Sequence, residues 1–137
     1  MSGEMKLLSL TAAHDLGKTL NPMLAKGQVH GAVAQGIGFA LMEEMRVKEG
    51  GVINPNFKQY RVPKAKDIPP NHTFFVESGD PHGPYGAKGL AQRALRPIVP
   101  TIAHAIFHAA GIWITELPIT AEKIKAALKT KLSRGRE

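Results

Sequence analysis

Gln28-Val29-His30-Gly31-Ala32-Val33-Ala34-Gln35-Gly36-Ile37-Gly38-Phe39-Ala40-Leu41 is the stretch on which the fold turns. Val29, Val33, Ile37 and Leu41 recur every fourth residue, Met45 continues the series, and Ala32, Gly36 and Ala40 widen the stripe. That is the pattern of a helix with one face in a core, and it predicts a helix over residues 28–46 stopped by Gly50-Gly51. Each of Gly27, Gly31, Gly36 and Gly38 costs a helix interior roughly 1 kcal/mol relative to alanine, so their presence predicts close packing against this helix. Gln28, at the helix mouth beside Gly27, carries an amide that both donates and accepts and can reach a ligand. A capping or solvent-facing role is its plainer alternative.

Upstream, residues 6–13 alternate loosely around Leu7, Leu8 and Leu10 and read as a strand, followed by turn chemistry at His14-Asp15-Leu16-Gly17 and Asn21-Pro22. Neighbours on an extended chain point to opposite faces, so His14 and Asp15 make a poor catalytic pair. Asp15 and Asn21 are instead expected to shape the loop by bonding nearby backbone. Downstream, Glu43, Glu44 and Glu49 lack histidines or further acids at ligand spacing and read as a solvated surface. Residues 59–62 read as a short strand stopped by Pro63, and residues 73–77 as an aromatic, β-branched strand.

That strand delivers Gly83-Pro84-Tyr85-Gly86-Ala87-Lys88-Gly89-Leu90-Ala91-Gln92-Arg93. Glycines let backbone approach a ligand closely, and amides that open a helix favour anions. A plain loop-to-helix turn is the competing reading. A further helix is expected from Pro97 or Pro100 to Ala110, ended by Gly111. His104 and His108 lie four apart on it, but without a third ligand they read as surface or packing histidines. A strand over residues 112–117 and a basic helix capped by Thr120 complete the chain.

At 137 residues and 43% hydrophobic, the sequence has the material for one modest core. Fourteen glycines and ten prolines predict many turns around limited regular structure. The absence of cysteine excludes disulfides, thiolate metal sites and a cysteine nucleophile from this chain. No apolar run of signal-peptide or membrane-spanning length occurs, so an intracellular, cytoplasmic protein with no membrane partner is expected. Of the net charge of +7, the tail over residues 120–137 holds +4. No nucleic-acid motif accompanies it, so it reads as a solubilising face.

The separated motifs Ala12-Ala13-His14-Asp15-Leu16-Gly17 with Asn21-Pro22, Gly27-Gln28-Val29-His30-Gly31-Ala32, Gln35-Gly36-Ile37-Gly38, Gly83 to Gly89 and Leu117-Pro118-Ile119-Thr120 occur in a specific order. In that order the sequence resembles the C-terminal part of the molybdopterin-binding large subunit of the xanthine dehydrogenase and aldehyde oxidase family of molybdenum hydroxylases. The resemblance implies an α+β fold: a single domain over residues 1–137, with short mixed strands packed against two or three helices. It implies a component of an oxidoreductase that hydroxylates an aldehyde or N-heterocycle. The implied cofactor is molybdopterin, in some members a cytosine dinucleotide, held together with a partner chain. Gln28, Gly86, Ala87, Lys88 and Gly89 would contact it, and no residue here would ligate the metal directly. Partners would be the remaining portion of the large subunit and iron–sulfur and flavin subunits, with self-association if the chain is isolated.

Two departures stand out. The family's catalytic glutamate falls at Gln92, in Lys88-Gly89-Leu90-Ala91-Gln92, and glutamine cannot serve as a base. His30 stands where an acidic residue is common. The alternative reading is a catalytically degenerate remnant that binds or oligomerises.

Overall fold

The computed structural model describes residues 2–134, without the Arg134 side chain; Arg136 and Glu137 of the basic tail lie outside the described residues. The elements run β1 (Leu10–Asp15), α1 (Pro22–Leu41), β2 (Val47–Lys48), β3 (Gly51–Val52), β4 (Asn71–Val76), α2 (Ile98–Ala110) and α3 (Ala121–Arg134). Short 3₁₀ turns sit at Ala65–Asp67, Pro84–Gly86 and Ala91–Arg93. The chain is a small single domain of mixed α+β class, as expected.

α1 starts six residues before the predicted boundary. Asn21 caps it, its Oδ1 accepting from the Leu24 amide at 3.0 Å, and Pro22 occupies the first turn where its missing N–H costs nothing. The helix also ends at Leu41 rather than reaching Met45. The cause is distant: buried Asn54 donates through Nδ2 to Glu44 O (2.6 Å) and accepts from Arg46 N (2.9 Å). Those bonds hold residues 44–46 extended in competition with the helix. Gly50-Gly51 belong instead to the β2–β3 hairpin, whose turn residues Glu49 and Gly50 have φ of 51° and 80°.

β1 and β4 form a two-stranded parallel sheet, with Leu10 opposite Asn71 and Asp15 opposite Val76. Parallel pairing needs a long crossover, supplied here by α1 and everything between it and β4. Each strand keeps one unpaired edge among the described residues. The sheet's outer face exposes Phe74 (60%) and Val76 (53%).

The core joins Val29, Val33, Ile37 and Ala40 of α1 to Ile98, Ile102 and Ile106 of α2, with Ala12, Ala94, Ile112, Ile119 and Ile124 at its edges. Gly36 lets the two helices meet: a Cβ there would lie 2.5 Å from Ile98 Cβ. α2 begins at Ile98 and ends at Gly111 (φ 63°), both as predicted. Lys131 of α3 donates to Ala110 O at 2.8 Å, covering an open carbonyl at the negative end of α2. Lys123 bonds the carbonyls of Glu116 and Leu117. Two cations of the basic tail therefore fold back onto their own chain.

Two predicted strands are absent. Residues 59–62 turn because Asn56 Oδ1 accepts from the Lys58 and Gln59 amides. Residues 112–117 find no strand to pair with; Ile112 is buried without one. No helix among the described residues is long and apolar enough to cross a membrane.

Candidate functional site

Because β1 and β4 run parallel, their C-terminal ends emerge side by side, and such ends are where open α/β arrangements place ligands. Leu16 and Gly17 leave β1 toward α1, while Glu77, Ser78 and Gly79 leave β4 toward the glycine loop. A partly exposed cluster ties the exits together. Asp15 Oδ1 accepts from the Gly17 amide (2.9 Å), and its Oδ2 from Ser78 Oγ (2.8 Å) and Lys88 Nζ (2.5 Å). Lys88 Nζ lies 2.7 Å from Ser78 Oγ as well.

Backbone bonds complete the tie: Lys88 N to Leu16 O (2.8 Å), Gly79 N to Gly17 O (3.0 Å) and Asp80 N to Gly86 O (3.0 Å). The Lys88 ammonium, then the Gly17 amide and the Ser78 hydroxyl, hold the Asp15 carboxyl well below the usual carboxylate range. Asp15 thus shapes the loop through a backbone bond, as expected from the sequence, whereas Asn21 caps α1. The β4 exit is anchored a second time, since Glu77 Oε1 accepts from the Thr19 amide at 2.7 Å, which lowers the Glu77 pKa.

Two clefts adjoin this junction and share Gln28. One, about 310 Å³, is lined by Gly27, Gln28, Gly31 and Gln35 of α1 and by Ala91 and Gln92 across from them. The other, about 280 Å³, is lined by Gln28 with Lys18, Thr19, Ala87, Lys88 and Leu90 among others. Gln28 and Gln92, far apart in sequence, therefore face one space, and Gln28 shares the next with Ala87 and Lys88. Gly86 and Gly89 flank these residues without lining either cleft.

The first cleft presents three side-chain amides and no carboxylate among the described residues. It can bind a polar, flat surface by donating and accepting; it holds no base. A Cβ built on Gly27, Gly31 or Gly89 would meet nothing within 4 Å, so these positions are open floor rather than packed contacts. The loop amides divide sharply. Those of Gly86, Ala87 and Lys88 already bond Gly83 O, Pro84 O and Leu16 O, whereas those of Gly89, Leu90, Ala91 and Gln92 have no acceptor among the described residues.

Gln35 and Ser78 escaped the sequence reading. Gln35 was visible, since Gly27, Gln28, Gly31 and Gln35 repeat at helical spacing along one face. Ser78 gave no local signal, because its partners arrive from β1 and the glycine loop. Glu43 differs from expectation: Tyr60 donates to its Oε2 at 2.7 Å, and this bond raises the Tyr60 pKa, so Glu43 is a tertiary contact rather than a solvated acid. His104 and His108 are exposed surface residues whose rings lie edge-on to Trp113 (5.0 Å) and Phe107 (5.9 Å). Among the described residues no three His, Asp or Glu side chains converge as a metal site. A larger hollow, about 1170 Å³, lies between the N-terminus, residues 57–67 and the start of α3, and includes none of the expected site residues.

Residues 1–69 match the family described as molybdopterin cofactor-binding domain. The chain is 42% identical over 113 residues to the xanthine dehydrogenase molybdenum-binding subunit of Escherichia coli O157:H7, covering 81% of this chain and 15% of that protein. It is 36% identical over 126 residues to the aldehyde oxidoreductase molybdenum-binding subunit of Escherichia coli K12, covering 90% of this chain and 17% of the relative. Among solved structures, aldehyde oxidoreductase from Desulfovibrio gigas superposes with a TM-score of 0.85 at 32% identity, over 93% of this chain and 14% of that one. The chain thus spans about a sixth of the length of the relatives it matches.

Proposed function

The chain belongs to the molybdopterin cofactor-binding family, and from that premise we propose that it is the C-terminal part of a molybdopterin-binding large subunit, a component of a molybdenum hydroxylase-type oxidoreductase. The observation that carries this reading is the convergence of Gln28, Gln92, Ala87 and Lys88 on two clefts that share the Gln28 side chain.

Molybdopterin has a flat ring system edged with donors and acceptors, and a phosphate. The residues present fit it. Gly27 and Gly31 leave a bare floor on α1 that a ring can approach. The Gln28 amide can bond a donor and an acceptor on one edge. The open amides from Gly89 to Gln92 supply a row of donors for an acidic oxygen, and Lys18 adds a cation at the second cleft. Gln28, Ala87 and Lys88 line the clefts that would receive the cofactor, with Gly86 and Gly89 flanking them. When bound, the group would supply the redox chemistry that hydroxylates an aldehyde or N-heterocycle.

The two clefts are open on the side away from this chain, and the sheet beside them shows unpaired edges and an apolar outer face. Such surfaces mark protein contacts. The partner is the rest of the large subunit, together with iron–sulfur and flavin chains that carry electrons onward. The decisive measurement is co-expression with the neighbouring reading frame. A stable complex containing molybdenum is expected; no complex and no molybdenum by elemental analysis would overturn the reading.

Gln92 favours a second reading. It lines the cleft beside Gln28, where a base is required, and general-base help is typically worth about 10²–10⁴ in rate. A degenerate cofactor-binding or oligomerising remnant would show no hydroxylation after Gln92→Glu, even with partner and cofactor present. Recovered hydroxylation would identify an otherwise intact site.

A further inference from the structure

Lys88 looks, from sequence, like a cation aimed at a phosphate. Its surroundings give it another task. Two of the three donors on its ammonium meet Asp15 Oδ2 and Ser78 Oγ, and its charge is matched by the Asp15 carboxylate. The pair is partly sheltered, with 27% of the Lys88 and 37% of the Asp15 side chain exposed. An arriving phosphate would have to displace a carboxylate already in contact. The Lys88 amide is fixed too, on Leu16 O, so this residue is pinned at both its main chain and its tip. Immediately after it the chain releases its four open amides.

We propose that Lys88 is a positioning residue, and that Asp15 and Ser78 act through its ammonium to set the glycine loop so that the amides from Gly89 to Gln92 face the cleft. This rests on the cofactor-binding reading for the identity of what those amides meet, but not for the clasp itself. Asp15 comes from the end of β1, Ser78 from the end of β4 and Lys88 from the loop, so the clasp makes the loop's position a function of the strand pairing. The anion is left to the open amides.

The test uses the protein as isolated, with any companion chain that copurifies, and four forms of it: wild type, Asp15→Asn, Lys88→Met and the double variant. Hydrogen exchange in cofactor-free protein is read at the Gly79, Asp80 and Lys88 amides, with Val33 and Ile102 as core references. Lys88→Met leaves Asp15 unmatched and should raise exchange at the three loop amides about tenfold while the references stay within about twofold. The uncharged double variant should return to within about threefold of wild type, a strong coupling between the two sites. Additive effects would overturn the clasp.

Retained pterin, measured after release from the same four forms and from Lys88→Arg, gives the second readout. A positioning role predicts loss in Lys88→Met and recovery in the double variant, with Lys88→Arg close to wild type. If the double variant loses as much pterin as Lys88→Met or more, Lys88 is an anion ligand and the proposal fails. A wild-type protein that takes up no pterin would instead sink the cofactor reading, and the exchange measurements would still decide the clasp.

Discussion

Two pairs of glycines on one helix do opposite things. Gly36 and Gly38, in the C-terminal half of α1, lie against Ile98 and against Glu43 and Pro63, where a side chain would collide. Gly27 and Gly31, one to three turns earlier, face space with no neighbour within 4 Å. The first pair is explained by this chain's own core. The second pair has no internal reason to be glycine, and its helix-propensity cost is uncompensated within the described residues. The difference separates a face packed into the core from a face left open among the described residues.

The contrast is most exposed to test in the core. Ile102, 2% exposed and central to the α1–α2 contact, should lose about 2–5 kcal/mol on Ile102→Ala, read from denaturant unfolding. A smaller loss would mean that the helix pair is not the stabilising half. Next, Gly36→Ala must push Ile98 aside and should cost about 1–3 kcal/mol, less whatever the better helix former returns. Gly31→Ala and Gly27→Ala carry the opposite sign. Each should stabilise the chain by up to about 1 kcal/mol, and each should reduce pterin retention if the open floor seats a flat ring. Stabilisation with undiminished retention would break the comparison.

The smallest expected effect is the acid sensitivity of the Asp15 clasp. The Asp15 carboxyl is depressed in the folded chain, chiefly by Lys88, so its contribution is fully present above the unfolded value of about 4. It declines as pH falls from there toward the lower folded value. Denaturant midpoints at pH 6 and pH 3 should therefore diverge more for wild type than for Asp15→Asn.

What the sequence revealed, and what it hid, follows the range of the interactions. The α1 and α2 core faces were legible because their spacing is local, as was Gly111, whose left-handed conformation ends α2. Asn21-Pro22 carried a cap-and-first-turn signal that also fits a simple turn, and the turn reading shortened α1 by two turns. The end of α1 was not legible, because Asn54 imposes it from a later segment. Residues 112–117 alternate like a strand, yet pairing depends on a neighbour that no local pattern reports.

The site divides the same way. Gln28 and the glycine loop could be named from motif resemblance. Their meeting in adjoining clefts, and the clasp of Asp15, Ser78 and Lys88, depend on parallel strand pairing. The identity of the open amides needed the hydrogen-bond pattern, which moved the donors one residue past the lysine.

The parallel β1–β4 pair also fixes an order of events. Its strands are separated by the whole of α1 and the hairpin, so bringing them together costs roughly 3–4 kcal/mol of loop-closure entropy before any ladder bond rewards it. α1 and its cap need only local contacts, whereas β1 must wait until β4 has been synthesised. The second cleft, which takes Leu16 from the end of β1 and Lys88 from beyond β4, is consequently completed late in folding. A cofactor or companion chain would thus encounter α1 before it encountered a finished place to bind.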